Sequence, residues 1–322
     1  MSTTESRSVG FWRHPVSATR LGLPILALGL AIVAFLSFDL VRISSAAADP
    51  ADADAAPAMG GALVIGGGGK LPDEIRLTFL NLAGGPQKAK ILIIPTADTT
   101  YEPAVAPLYL TEWQRLGAHA PTIFHTRSRD EANDSSYIKP IEEATGVWFG
   151  GGRQELLSQA YVGTEVERAL KRLLDRGGVV GGSSAGAAIL TKVMIASGRR
   201  DPVEGEGFDL LPNSIVDQHF LRRNRMGRMM NMLKKHPDMV GIGIDEKTAL
   251  VVRGRRLSVV GDSYVVACTP ATKDRPERIE FMKPGDTTDL DVLMGPAKVA
   301  IVPGIDFKNI NNAETVLGPP TR

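Results

Sequence analysis

From Gly61 onward, short apolar runs alternate with segments in which apolar residues recur every three or four positions. The short runs end at glycine, proline or polar residues, which is typical of buried strands, and they are ALVIGGGG, KILIIPTA, APTIFHT, GVWFGGG, GGVVGGSS and SIVDQHF. The segments between them predict helices: EPAVAPLYLTEWQRLG, RQELLSQAYVGTEVERALKRLLDRG and AGAAILTKVM. This alternation predicts an α/β fold with a mostly parallel sheet sandwiched by helices.

A later stretch, GIGIDEKTALVVRGRRLSVVGDSYVVACTP, contains closely spaced strand patterns with turn signals at Arg253-Gly254 and Gly261-Asp262. It predicts an antiparallel extension of the same sheet, whereas the tail after Arg275 is weakly patterned. In such a sheet the loops at the carboxyl ends of the strands line one crevice, where ligands bind. We therefore look for chemistry in those loops.

The N-terminal part has a different pattern, an apolar run of membrane-spanning length from Leu21 to Leu40. Arg13 and Arg20 precede the run and SSAAADP follows it, which indicates export, through either a cleaved signal peptide or an uncleaved anchor. We expect a signal or anchor over residues 1–48, a flexible linker over 49–60 and one catalytic domain over 61–322. The domain is thus expected in the periplasm or outside the cell, or anchored to the membrane by residues 21–41.

Composition narrows the classes of partner. The 37 basic and 36 acidic side chains nearly balance, so nothing in the charge favours a nucleic acid. Cys268 is the only cysteine, which excludes an intrachain disulfide. The chain has no HExxH, cysteine pair or close histidine pair, so no metal site is predicted. GGGGK at Gly66–Lys70 lacks the third glycine of a dinucleotide motif and the residue after Lys70 that a P-loop requires, so no cofactor is predicted.

The segment GGSSAGA carries the candidate chemistry. Gly182-Ser183-Ser184-Ala185-Gly186 fits G-x-S-x-G between an apolar strand and a helix-forming run, the context of a nucleophile elbow. Ser184 is the candidate nucleophile, and the N–H of Ala185 is a candidate oxyanion donor. A phosphate-binding turn and a turn without chemistry remain alternatives.

A serine nucleophile needs a base, and the chain has five histidines: His14, His119, His125, His219 and His236. His14 precedes the apolar run, His236 lies in the charged KKHPD, and the other pair flanks a short strand. His219 closes the strand-like SIVDQHF and is the candidate base. Glu246 and Asp245 compete to orient it, with Asp217 a weaker choice.

Two further motifs accompany these residues. FGGGRQ ends a strand, so the N–H of Gly151 or Gly152 is a candidate second oxyanion donor and Gln154 is expected to face the site; a simple turn is the alternative. Arg222, Arg223, Arg225 and Arg228 follow His219, and a helix starting near Arg223 would align Arg225 with Arg228. We expect these arginines to bind substrate carboxylates, with a solvated basic face as the alternative.

The chain contains four motifs in the order found in the cyanophycinases of serine peptidase family S51: GGRQ, GGSSAGA, DQHFLRRNRMGR and GIGIDEKTA. The cyanophycinases are relatives of the aspartyl dipeptidase peptidase E, and the chain resembles them from Gly61 to at least Thr269. The resemblance implies a class I glutamine-amidotransferase-like (flavodoxin-like) fold and a Ser184-His219-Glu246 triad. It implies a substrate pocket of Gln154, Asp217, Gln218, Arg223, Arg225 and Arg228. Arg153 departs from the family's GGNQ.

The resemblance implies an exported serine exopeptidase that hydrolyses cyanophycin, a poly-aspartate with arginine on each β-carboxyl, to β-Asp-Arg dipeptides. Two alternatives remain: a peptidase E-like enzyme for other aspartyl peptides, and an inactive binding module. The expected partners are a peptide or cyanophycin, and the membrane if the N-terminal segment is retained; a homodimer is left open.

Overall fold

The computed structural model describes residues 60–273 and 275–294. Its strands are β1 Ala62–Gly66, β2 Ile91–Ile94, β3 Thr122–Ile123, β4 Gly146–Phe149, β5 Val179–Ser183, β6 Val193–Ser197, β7 Val203–Glu206, β8 Ser214–Gln218, β9 Val240–Ile244, β10 Thr248–Arg253, β11 Arg256–Gly261, β12 Val265–Thr269, β13 Arg278–Met282 and β14 Thr287–Asp289. Its α-helices are α1 Asp73–Leu82, α2 Ala106–Arg115, α3 Arg129–Asn133, α4 Lys139–Glu143, α5 Gln154–Tyr161, α6 Glu165–Asp175, α7 Ala185–Ala188, α8 Met226–Leu233 and α9 Leu290–Met294. The predicted signal or anchor and all of the predicted linker except Gly60 lie outside the described residues.

The main sheet has eight strands in the order β14-β11-β10-β1-β5-β4-β2-β3. The five strands from β1 to β3 in this order are parallel, and β10, β11 and β14 are antiparallel to their neighbours. The sequences of β1, β2 and β4 are apolar throughout because each strand is buried along its whole length. The predicted α/β class with a mostly parallel sheet is confirmed.

Both faces of this sheet are covered. Along β1, Leu63 and Ile65 join one hydrophobic cluster, and the alternate residues Ala62 and Val64 join another. Successive side chains of a strand point to opposite faces, so the two clusters lie on opposite sides of the sheet. Among the described residues, no helix is both long and apolar enough to span a bilayer.

A second sheet, in the order β13-β12-β9-β8, corrects the expectation that residues 241–270 only extend the first. β10 and β11 do extend it, but β9 pairs with β8 in parallel and with β12 in antiparallel. The chain changes sheets at the turn after β9, where Lys247 adopts a left-handed φ of 59°. An apolar run indicates that a strand is buried, but it does not indicate which sheet the strand joins. The sequence pattern therefore could not show that β9 and β12 lie outside the main sheet.

Three helix predictions also need correction. The helical pattern over residues 153–177 is two helices, α5 and α6, because Gly163 with φ 74° interrupts it. AGAAILTKVM forms only the single turn of α7 before its last residues enter β6. Helix α8 begins at Met226 and not near Arg223, since Asn224 has a left-handed φ of 49° that a helix cannot include.

Candidate active site

Ser184 lies in the sharp turn between β5 and α7, with φ 55° and ψ −111°. A left-handed φ is costly for a serine and needs close packing around it. A Cβ on Gly182 would overlap the backbone of Gly186, and a Cβ on Gly186 would overlap the carbonyl oxygen of Phe149. The glycines of the motif are therefore required for the turn that exposes the Ser184 side chain.

Three side chains form one hydrogen-bonded chain at this turn. Ser184 Oγ lies 2.9 Å from His219 Nε2, and His219 Nδ1 lies 2.7 Å from Glu246 Oε1. The carboxylate of Asp245 is engaged elsewhere, since it accepts hydrogen bonds of 2.8 Å from the Arg222 backbone N–H and from the Ser263 hydroxyl. Local patterns left Asp245 and Glu246 in competition and the family resemblance implied Glu246, which is the acid in contact with the imidazole.

The surroundings of His219 favour its neutral form. Burial lowers the pKa of the imidazole below its ordinary value, and the charges of Arg223 and Arg225 lower it further, while the hydrogen bond to Glu246 opposes the shift. The His219 backbone, at φ 49°, is fixed by a 2.7 Å hydrogen bond from its N–H to the carbonyl of Gly67. A neutral, fixed imidazole can accept a proton from a serine hydroxyl.

The glycine run Gly66–Gly69 at the end of β1 is part of this site, although its sequence indicates only an incomplete nucleotide motif. Gly68 has φ +100°, and a Cβ there would lie 2.6 Å from His219 Nε2. A Cβ on Gly69 would lie 3.0 Å from Glu246 Oε2. Only a loop without side chains fits beneath the imidazole and the carboxylate. A run of four glycines that ends and follows a buried strand was the signal that could have indicated such a close approach.

The candidate oxyanion donors flank Ser184. Ala185 is the first residue of α7, so its N–H has no intrahelical acceptor. The loop after β4 is tied down at both ends, because the N–H of Gly150 donates to Ile94 and the N–H of Arg153 to Ala97. A Cβ placed on Gly151 would lie 4.0 Å from Ser184 Oγ, so this backbone closely approaches the hydroxyl. Gly152, at φ +137°, leaves no room for a side chain against Ala97.

One cavity, of about 320 Å³, opens on one side of Ser184, and we call it the arginine pocket. Its lining consists of Gly152, Arg153, Gln154, Glu155, Ser184, Ala196, Ser197, Gly198, Arg199, Gln218, Arg223, Arg225 and Arg228. Five of these side chains are arginines and one is an acid. The pocket therefore suits an anionic ligand.

Asp217 lies behind this pocket and not in its lining, which differs from the expectation that it contacts substrate. Its side chain is fully enclosed and accepts hydrogen bonds from Arg225 Nη1 at 3.0 Å and from Arg228 Nε at 2.7 Å. Burial lowers the pKa of Arg225 to about 10, with Asp217 opposing the shift. One buried carboxylate thus orients two arginines and leaves one positive charge uncompensated.

Gln154 and Gln218 shape the pocket through bonds of their own. Gln154 Nε2 donates to the carbonyls of Ile195 and Ala196 at 2.8 and 2.7 Å, which fixes the β6–β7 hairpin. Its amide nitrogen is therefore engaged, and only its oxygen is left for a ligand. Gln218 Oε1 accepts from Arg225. The hairpin brings Arg199 into the lining, a residue that the sequence analysis missed because no local motif marks it.

A second cavity, of about 400 Å³, opens on the other side of Ser184, and we call it the aromatic cavity. Its lining consists of Gly68, Gly69, Leu71, Arg76, Ile93, Leu108, Tyr109, Glu112, Trp113, Trp148, Gly150, Gly151, Ser183 and Ser184. Only one base and one acid line it. Ser184 therefore lies between a basic and a charge-balanced cavity.

A serine hydroxyl bonded to a neutral imidazole that is in turn bonded to a carboxylate can perform nucleophilic acyl transfer. Within the described ranges, no three or more His, Cys, Asp or Glu side chains are grouped to hold a metal ion.

Known proteins are similar to this chain. A family model described as peptidase family S51 matches residues 62–260. The chain is 38% identical over 208 residues to a cyanophycinase of Trichormus variabilis, covering 61% of this chain and 68% of that protein. It is 34% identical over 218 residues to a cyanophycinase of Geminocystis herdmanii, covering 63% and 78% of the two chains.

A solved structure is similar as well. The crystal structure of a peptidase from an acI-B1 Actinobacterium superposes with a TM-score of 0.57 at 25% identity, covering 72% of this chain and 97% of that one. Because the family model spans more than half of the sequence, this protein belongs to peptidase family S51 and is a serine-type peptidase.

Proposed function

We propose that this peptidase is an exported cyanophycinase that hydrolyses the poly-aspartate backbone of cyanophycin and releases β-Asp-Arg dipeptides. The observation that carries the proposal is that Ser184, bonded to His219 and through it to Glu246, lines the arginine pocket. The similarity of this chain to proteins named cyanophycinase supports the same substrate. Each arginine unit of cyanophycin keeps a free α-carboxylate, the kind of group that guanidinium side chains bind.

In the first step, His219 Nε2 accepts the hydroxyl proton as Ser184 Oγ attacks a backbone carbonyl carbon of the poly-aspartate. Glu246 holds the imidazole by Nδ1 and stabilises the imidazolium that forms. The negative charge on the carbonyl oxygen is stabilised by the N–H of Ala185 and that of Gly151 or Gly152.

In the second step, the C–N bond breaks, and the leaving amine takes the proton from His219 Nε2. The acyl group stays on Ser184 Oγ as an ester. A water molecule then attacks the ester carbonyl while His219 accepts its proton, and collapse of this intermediate returns the proton to Ser184 Oγ and releases the carboxylate product. The substrate stays in place through both steps because its carboxylates are held by Arg223, Arg225 and Arg228.

Export is supported by the apolar run over residues 21–40 with its flanking arginines. A retained run would anchor the catalytic domain, residues 61–322, to the membrane, and a cleaved one would release it. Cell fractionation together with N-terminal sequencing distinguishes these outcomes, and recovery of the uncleaved chain in the soluble cytoplasm would contradict export. Sedimentation of the purified protein tests homodimer formation.

The activity is tested by incubating the purified protein with cyanophycin and identifying the soluble products by mass spectrometry. We expect β-Asp-Arg from the wild type and from Ser135→Ala, a variant at an exposed serine without a role in the site. Ser184→Ala should release no dipeptide above background. Dipeptide release by Ser184→Ala at the wild-type rate, or wild-type cleavage of Asp-X dipeptides without cleavage of cyanophycin, would contradict the proposal.

A further inference from the structure

The aromatic cavity has no role in the mechanism above, yet Ser184 lines it as well as the arginine pocket. We propose that it is a second substrate subsite, which holds the zwitterionic arginine end of a β-Asp-Arg unit next to the unit in the arginine pocket. This inference rests on the proposed function, because it takes cyanophycin as the substrate. It assigns the substrate's guanidinium to Glu112 and the α-carboxylate beside it to Arg76.

The wall of the aromatic cavity is preformed. Trp113 and Trp148 are 3% and 5% exposed, and their rings meet edge-on with centroids 5.3 Å apart. Phe79 supports both from below, with centroids 5.4 and 5.2 Å away. Tyr109 is fixed by a 2.5 Å hydrogen bond from its hydroxyl to Asp98. A ligand entering this cavity meets rigid aromatic surfaces, so little ordering is required of the protein.

The charges of the cavity are balanced. Arg76 Nη1 donates to the Leu71 carbonyl at 3.2 Å, and its guanidinium carbon lies 5.9 Å from the ring centre of Trp113. Glu112 accepts two bonds from Arg115, of 2.9 and 3.3 Å, both through Oε2. Arg115 is also paired with Asp73. Two bases and two acids therefore cancel, and the lining presents one of each sign, Arg76 and Glu112.

A β-linked arginine residue has the complementary charges. Its guanidinium is positive, its α-carboxylate is negative, and the two are joined by a short aliphatic chain. A dipolar lining suits this group, since guanidinium pairs with carboxylates. The arginine pocket offers a guanidinium only one acid, Glu155, among five arginines. A substrate chain that passes over Ser184 therefore has a favourable cavity on either side of its scissile bond.

Tryptophan fluorescence reports this site selectively. Trp113 and Trp148 line the aromatic cavity, and neither lines the arginine pocket. We would titrate full-length Ser184→Ala, which cannot turn over, with a trimer of β-Asp-Arg units. We expect a saturable change in tryptophan fluorescence, and its dependence on trimer concentration should give the same Kd as calorimetry.

The charge assignment is tested with a second trimer in which citrulline, a neutral isostere, replaces arginine. In the Ser184→Ala background, we expect the arginine trimer to bind about tenfold more tightly than the citrulline trimer. Adding Glu112→Gln should reduce this preference to less than about threefold. Adding Glu143→Gln, the same substitution at an exposed site on α4, should leave it unchanged, and thermal unfolding of the two variants should agree.

The outcomes separate this inference from the proposed function. If calorimetry shows no binding of the arginine trimer to Ser184→Ala, both are overturned. If the trimer binds without any tryptophan response, or if Glu112→Gln keeps the full preference for arginine over citrulline, the second subsite is overturned while cyanophycin remains the substrate.

Discussion

The two cavities that meet at Ser184 differ in how they are built and in what they can recognise. The arginine pocket has five arginines and one acid in its lining. The buried carboxylate of Asp217 holds two of these arginines, and Gln154 bonds to the hairpin backbone. The aromatic cavity is lined by residues of the hydrophobic core and carries balanced charge. The difference indicates that the arginine pocket selects a ligand by its negative charge, whereas the aromatic cavity selects a ligand by its shape and by its paired opposite charges.

The two cavities also differ in which of their residues can be substituted without harming the fold. Trp113 and Trp148 belong to the core, so truncating either would destabilise the fold by about 3–5 kcal/mol and reveal little about binding. Arg223 is exposed, so its charge can be removed without a packing defect. Substitutions at Ser184, His219 or Glu246 should change turnover whichever cavity is filled, whereas changes confined to one cavity should change binding.

The largest expected effect is on the shared chemistry, through Glu246→Gln. Loss of the carboxylate removes the group that orients His219, so kcat should fall by about 10³- to 10⁴-fold with KM within about twofold. Asp245→Asn should instead lower the thermal stability, because Asp245 bonds to Arg222 and Ser263 and not to the imidazole. Steady-state release of β-Asp-Arg measures kcat and KM, and thermal unfolding measures the stability of each variant. A Glu246→Gln enzyme within tenfold of the wild-type kcat would contradict the assignment.

The next effect concerns the glycine loop beneath the imidazole. In Gly68→Ala, the new methyl group would overlap His219 and displace it, and kcat should fall by about 100-fold. Gly84→Ala is a matched control, because Gly84 has a similar φ of +108° and no atom within 4 Å of where its methyl group would lie, so it carries the backbone strain alone. Equal loss of kcat in the two variants would show that strain and not the imidazole contact is responsible.

A smaller effect is expected in the arginine pocket alone. Arg223→Gln should raise KM for cyanophycin fragments about tenfold with kcat nearly unchanged, since it removes one charge for a substrate carboxylate. Arg222→Gln, at the adjacent exposed arginine outside the pocket lining, should leave KM unchanged. The difference between the two should shrink as salt is added. Matching KM values for the two variants would remove Arg223 from the pocket's function.

The smallest effect is on pH dependence. His219 must be neutral to accept the proton, and its pKa lies below the ordinary 6.5 because of burial and the nearby arginine charges. The acid limb of kcat/KM should therefore have its midpoint below pH 6.5, and activity is lost as the pH falls through it. Arg223→Gln should raise this midpoint by less than about one unit, since one repelling charge is gone. A wild-type midpoint above 6.5 would contradict the argued environment of the imidazole.

Part of the fold and part of the site can be predicted from local sequence patterns. The strand-to-helix context of GGSSAGA identifies Ser184 as an elbow residue because the turn, its small neighbours and the following helix are all adjacent in the sequence. Alternating apolar runs likewise indicate the α/β class. His219 could be singled out because the chain offers few histidines.

Contacts between residues that are distant in the sequence could not be predicted from sequence patterns. Whether Asp245 or Glu246 reaches the imidazole depends on the turn at Lys247, and neighbouring acids are indistinguishable in a one-dimensional pattern. Asp217 follows the apolar residues of β8, and nothing in that run shows that its carboxylate is enclosed behind the arginines. Arg199 reaches the pocket only because Gln154 and Arg228 bond to the hairpin backbone.

The most direct test of the central claim is the site and rate of modification by a serine-reactive fluorophosphonate, read by peptide mass spectrometry. We expect one adduct, on Ser184, and a rate at least about 100-fold lower in His219→Gln, because an unactivated hydroxyl reacts slowly. An adduct on the neighbouring Ser183, or equal rates in the wild type and His219→Gln, would contradict it.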